Sequence, residues 1–174
     1  MPILLIFLCA ALTMRMWSEE RHSGTLEHLL TQPTSLWHYV MGKFWACFTL
    51  LLLALICTLP LPITVALIAN LDWGPVSGGY VATVLLGATY LAIGLFVSAR
   101  TDNPLVSLIG TVLLCALFYL LGSATFTGFF DNRTGDVPRV LGSGARFESI
   151  TRGIIDLRDL FYYISLSAAF LALN

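Results

Sequence analysis

Charge is scarce in this sequence. Nine lysines and arginines and ten aspartates and glutamates make up 11% of 174 residues, where a soluble domain carries about 25%. Hydrophobic residues account for 57%, and the mean hydropathy is +0.85. A water-exposed fold of this length cannot hide so much apolar surface, so lipid is the solvent for most of the chain. The net charge is −1 and no basic cluster occurs, which leaves nothing to neutralise phosphates and excludes a nucleic-acid partner. Metal-site spacing is missing too. Cys9, Cys47, Cys57 and Cys115 each sit in an apolar run, with no CxxC among them, and read as small packing residues. The opening run Met1 to Thr13 has no basic residue before it, and its first charge, Arg15, follows it. That order is wrong for a signal peptide and right for the end of a membrane helix.

Catalytic groups are equally sparse. The long apolar runs contain no Asp, Glu, Lys, Arg or His, and ionisable residues at membrane depth are what proton relays and ion sites require. His22, His28 and His38 lie outside those runs, which argues against an intramembrane hydrolase. Gly142-Ser143-Gly144 lacks the strand, the helix and the base of a serine-nucleophile elbow. Gly42-Lys43 is no phosphate loop, because Trp37 and Phe44 occupy positions that motif reserves for Gly and Ser or Thr. Asn132-Arg133-Thr134 has the form of a glycosylation sequon, a pattern common by chance.

What is abundant is apolar length. A membrane-crossing helix needs about 20 apolar residues. Three runs qualify: Phe44 to Asn70, Gly79 to Ala99, and Pro104 to Gly122. Pro2 to Met14 and Phe161 to Leu173 are too short. A span cut at each chain end accounts for both, so the sequence reads as a single membrane domain over 1–174, part of a longer protein. Pro60 and Pro62 fall inside the first complete run, where proline removes backbone bonds and kinks a helix; this makes them a hinge candidate. Ala88 with Ala92, and Gly94 with Ser98, recur at helical spacing in the next run and predict close helix packing. Leu71 to Gly78 reads as a turn, and Arg100 to Asn103 as a tight charged turn before a helix opened by Pro104.

Two polar connections carry pattern. In Thr25 to Leu30, Leu26, Leu29 and Leu30 share a face while Glu27 and His28 point away. This predicts a short amphipathic helix ended by Pro33, with Thr34 or Ser35 capping the next helix and Trp37 and Tyr39 at the interface. Such a helix lies on the membrane or docks into a partner. In the second connection, 123–160, Phe147, Ile150, Ile154, Leu157 and Phe161 form one helical stripe, with Glu148, Arg152 and Asp156 on another. That predicts an amphipathic helix lying flat at the surface. Charge leaves the orientation open, because the arginines divide between the two sides.

On these residues the chain resembles the permease subunits of type-2 ABC transporters, closest to the gliding-motility branch. The resemblance rests on Leu12-Thr13-Met14-Arg15, Glu19-Glu20, Ser23-Gly24-Thr25-Leu26-Glu27, Leu29-Leu30-Thr31, Pro33 and Gly42-Lys43-Phe44. It continues through Asp72-Trp73-Gly74, Gly78-Gly79-Tyr80, Ala92-Ile93-Gly94-Leu95-Phe96, Phe147-Glu148-Ser149, and Arg152-Gly153-Ile154-Ile155-Asp156-Leu157-Arg158-Asp159. The Arg152 to Asp159 block is the more specific to the branch.

The resemblance implies an all-α, polytopic transmembrane bundle, with about five of six spans visible here. It places Arg15 to Lys43 in the cytoplasm, makes Thr25 to Leu30 the coupling helix, and makes Ser123 to Leu160 an extracytoplasmic re-entrant region. Carried over, Glu19, Glu20, Gly24, Thr25, Leu26, Glu27 and Leu30 form the contact with a separate ATPase subunit. No catalytic residue, cofactor or metal ligand is expected in this chain, since ATP binds the partner. The implied assembly pairs the permease with a second copy or a paralogue, in a bacterial inner membrane, and exports an unidentified substrate. The rival readings are a membrane anchor or assembly factor outside the ABC class, and a secondary carrier, which would need polar groups at mid-membrane.

Overall fold

The computed structural model describes residues 2–25, 31, 36–68, 72–122, 142–151 and 156–174. Every regular element among them is an α-helix: α1 (Pro2–Thr13), α2 (Ser18–His22), α3 (Leu36–Thr58), α4 (Pro60–Ile68), α5 (Trp73–Arg100), α6 (Pro104–Leu121), α7 (Ser143–Thr151) and α8 (Leu157–Ala172). Among the described residues, four stretches are long and apolar enough to cross a membrane: Pro2–His22, Leu36–Ile68, Trp73–Arg100 and Pro104–Leu121. The terminal helix α8, with 16 residues, is shorter than a span.

Helix starts follow local chemistry. Asp72 caps α5 by accepting from the Gly74 N–H at 3.1 Å. Asn103 caps α6 by accepting from the Leu105 N–H at 3.0 Å, with Pro104 opening the first turn. Asp156 caps α8 by accepting from the Arg158 N–H at 3.2 Å. Each satisfies a donor that the first helical turn leaves without a partner. The long apolar helix breaks at Leu59, between α3 and α4. Pro60 has no N–H to give the Ile56 carbonyl, and the Leu59 N–H takes it instead at 3.1 Å. The break therefore falls where the prolines predict.

The core is built around α5, which packs against α1, α3, α6, α7 and α8. Twelve of its 28 residues are buried, whereas α3 and α4 together bury only Val40, Cys47 and Leu51. Leu86, Tyr90, Leu91, Ile93 and Leu95 of α5 are fully enclosed. The small residues act as expected. A Cβ added at Gly94 would stand 2.1 Å from Thr13 Oγ1 of α1, and one at Gly87 would stand 2.6 Å from Leu51 Cδ2 of α3. Bare backbone at these two positions lets three helices meet closely. Three of the cysteines, Cys9, Cys47 and Cys115, are buried in this packing and Cys57 is exposed; all are free thiols.

The structure revises two sequence readings. The segment read as the turn Leu71 to Gly78 is helical from Trp73 onward, because the Asp72 cap starts α5 early. The helix expected to follow Thr34 or Ser35 is helical from Leu36, which makes Lys43 helical as well. The stripe from Phe147 to Phe161 is not one helix. Asp156 is extended, at φ −88° and ψ 133°, and starts a new helix. Phe147 and Ile150 of α7 are buried in the main core, while Leu157 and Phe161 of α8 are 67% and 65% exposed. Thus α7 packs into the bundle against α5 and α6 instead of lying flat on it; Arg152 and Ile154 fall outside the described residues.

Candidate functional site

The polar groups of the bundle gather at one end, where α1 gives way to α2. The Met14 to Trp17 turn returns the chain beneath the C-terminal end of α5. There the Ser98 hydroxyl accepts from two successive backbone donors, the Trp17 N–H at 3.1 Å and the Ser18 N–H at 3.2 Å, and donates to the Met14 carbonyl at 3.4 Å. Ser98 is fully buried, and a small hydroxyl at this position satisfies N–H groups that lie ahead of the first α2 bond.

Lys43 joins α3 to the same segment. Its ammonium donates to Glu20 Oε2 at 2.5 Å and to the Met16 carbonyl at 2.5 Å, and lies 3.7 Å from the centroid of the Trp17 ring. The Lys43 side chain is 15% exposed and that of Glu20 is 31% exposed, so both charges are partly withdrawn from solvent. Pairing and the ring face offset the cost of that withdrawal. Arg21 makes the third tie. Its Nε pairs with Asp102 Oδ1 at 2.9 Å and its Nη1 donates to the Ala99 carbonyl at 2.7 Å, joining α2 to the turn between α5 and α6.

Beyond these ties the chain turns outward. Gly24 adopts φ +71°, a left-handed conformation that glycine enters without steric cost. The Ser23 and Thr25 hydroxyls lie 2.9 Å apart and 3.3 and 3.2 Å from the Glu20 carbonyl, so that one donates to the other, which donates to that carbonyl. Glu19, Gly24 and Thr25, three of the expected contact residues, are therefore exposed side by side, while Glu20 is half-buried and engaged with Lys43. Leu26, Glu27 and Leu30 lie outside the described residues.

Sequence reasoning missed the anchoring residues. Ser98 was read only as a small packing residue and Asp102 only as part of a charged turn, while Trp17 and Arg21 carried no local signal. Lys43, the chain's only lysine, stood in the resemblance without a role; its isolation beside an apolar run was the one available hint.

At the other end, a cavity of about 770 Å³ lies between α1, the α3–α4 break, the start of α5, and α7. Its wall is almost wholly apolar, including Leu5, Leu51, Leu55, Leu61 and Phe147, and its few polar groups are hydroxyls such as Thr58 and Tyr80. No group of three or more potential metal ligands occurs among the described residues.

No curated protein and no solved structure matches the chain. The family model described as ABC-2 family transporter protein matches residues 1–173. With four helical stretches among the described residues long and apolar enough to cross a membrane, all between Pro2 and Leu121, the chain belongs to the ABC-2 transporter family, as a membrane component of an ABC transporter.

Proposed function

We propose that this chain is the permease subunit of an ATP-driven exporter, and that a separate ATPase subunit docks on the segment from Glu19 to Leu30. The observation that carries this reading is the anchoring just described. Ser98, Lys43 and Arg21 fix the chain at Trp17 to Arg21, and the exposed Glu19, Gly24 and Thr25 follow at once. A force applied to the next residues therefore has a firm connection to the bundle. The amphipathic pattern of Leu26, Leu29 and Leu30 gives a partner cleft an apolar face to receive.

On this reading ATP is held by the partner and the permease works as a dimer with a second copy or a paralogue. Closure of the ATPase pair moves both coupling helices and shifts the bundle between two states. The break at Pro60 and Pro62 is a fitting hinge. The docking segment faces the cytoplasm of a bacterial inner membrane, and 123–160 forms a re-entrant region on the opposite side. The sequence block from Arg152 to Asp159 favours the gliding-motility branch.

The test is capture of the full-length protein from native membranes in mild detergent, with mass spectrometry of its partners. A P-loop ATPase is expected in stoichiometric amount, and is expected to be lost when Leu26 and Glu27 are both changed to Arg. An intact, folded protein with no such partner would overturn the proposal in favour of an anchor or a carrier.

A further inference from the structure

The reading above needs a physical link between the docking segment and the helices that move. We propose that Lys43 is that link, a positioning residue that makes α3 move together with the segment leading to the ATPase contact. The inference rests on the permease reading and adds to it the residue through which motion is transmitted.

Three observations carry it. First, the partners of the Lys43 ammonium among the described residues belong to one segment: the Met16 carbonyl, the Glu20 carboxylate and the Trp17 ring. The lysine itself sits on α3. Its bonds therefore tie one element to another, 23 to 27 residues apart in sequence.

Second, the two elements are held very differently by the rest of the protein. The segment is fastened to α5 through Ser98 and to the α5–α6 turn through Arg21, and α5 is the most enclosed helix. Only Val40, Cys47 and Leu51 of α3 are buried, and no residue of α4. A helix with so few enclosed side chains takes its position from few contacts, and the bonds of Lys43 are among them.

Third, the tie resists slipping. Lys43 and Glu20 are partly desolvated, so separating them exposes two charges to a poorly solvating region, and that opposes separation. The Arg21–Asp102 pair differs: its side chains are 45% and 71% exposed, and water readily replaces each partner. Lys43 also stands about 22 Å from Thr58 at 1.5 Å per helical residue, with the Leu59 break just beyond. A displacement at the Glu20 end thus reaches the hinge along one continuous helix.

The experiment uses the full-length permease assembled with its ATPase in nanodiscs. Spin labels are placed at Leu67 and Leu120, both exposed and near the far ends of α4 and α6, and distances are measured with and without trapped nucleotide. The wild-type assembly is expected to show a nucleotide-dependent shift. In Lys43→Met the ATPase still co-purifies and still hydrolyses ATP, but the shift is lost. Lys43→Gln, which removes the ammonium charge at a residue outside the docking segment, is expected to lose it too, and serves if Lys43→Met does not fold. Lys43→Arg, which keeps a cation over Trp17, is expected to restore part of the shift. A purely architectural role would lower yield or thermal stability and leave the shift of the assembled protein intact. A wild-type shift in assembled Lys43→Met or Lys43→Gln overturns the proposal while leaving the permease reading standing. Absence of any co-purifying ATPase overturns the permease reading itself.

Discussion

A single methyl group added at Gly94 should separate two helices. Its Cβ would lie 2.1 Å from Thr13 Oγ1, 3.1 Å from Thr13 Cγ2 and 2.9 Å from Thr13 Cβ. Rotation of the threonine moves the first two atoms away. It cannot move the third, whose position is set by the α1 backbone, so α1 and α5 must part by some tenths of an ångström. Rotation also breaks the bond from Thr13 Oγ1 to the Cys9 carbonyl, 2.8 Å long and buried. Overpacking of this kind costs about 1–3 kcal/mol, and a lost buried hydrogen bond adds about 1 kcal/mol. Gly94→Ala is therefore expected to destabilise the bundle by about 2–4 kcal/mol. Thr13→Ala removes both mobile atoms, so the double variant should lose less than the sum of the singles, with a coupling of at least about 1 kcal/mol. Steric-trap unfolding in lipid bicelles measures all four free energies of the cycle. Wild-type stability in Gly94→Ala, or strict additivity with Thr13→Ala, would refute the claim that this contact sets the α1–α5 distance.

Two further substitutions test the architecture. Ser98→Ala leaves the buried Trp17 and Ser18 N–H groups without their acceptor and should cost about 1–3 kcal/mol for each group left unpaired, read in the same unfolding assay; an unchanged stability would show that Ser98 does not anchor α2. At Gly142 an added Cβ would lie 1.9 Å from the Gly122 nitrogen, and backbone cannot step aside as a side chain can. Gly142→Ala should therefore lose its monodisperse peak in detergent gel filtration, whereas Gly79→Ala, with nothing within 4 Å of the added atom, should keep it. Equal behaviour of the two would refute the claim that the backbones at Gly122 and Gly142 meet too closely for a side chain.

The candidate site was only partly legible in the sequence. Glu19, Gly24 and Thr25 were named through the family's motif, and they do lie exposed at the polar end of the bundle. Glu20 was named in the same block, yet its carboxylate is engaged with Lys43. No spacing rule could reveal that, because helical side-chain rules reach three or four residues and this pair is 23 apart. The stripe from Phe147 to Phe161 misled for a related reason. Periodicity assumes an unbroken helix, whereas Asp156 turns its carboxylate to the Arg158 N–H and restarts the count. Two helices then face different surroundings, and Phe147 goes inward while Phe161 stays outside.

The sequence by itself determined the solvent, the helical class and many helix ends. Composition demands lipid, and a chain in lipid must satisfy its backbone within each segment, which long apolar runs do as helices. The caps at Asn103 and Asp156 and the break at Pro60 are likewise local, each decided within a few residues of chain. Tertiary structure decided which helix lies at the centre, which small residues touch, and where the few charges go. All the runs are apolar, so hydropathy cannot rank them; α5 is central because Gly87, Gly94 and Ser98 admit Leu51, Thr13 and the Trp17 turn. The seat of Lys43 is of the same kind: an ammonium beside lipid must find its acceptors within the protein, and only the folded bundle brings Met16, Trp17 and Glu20 to it.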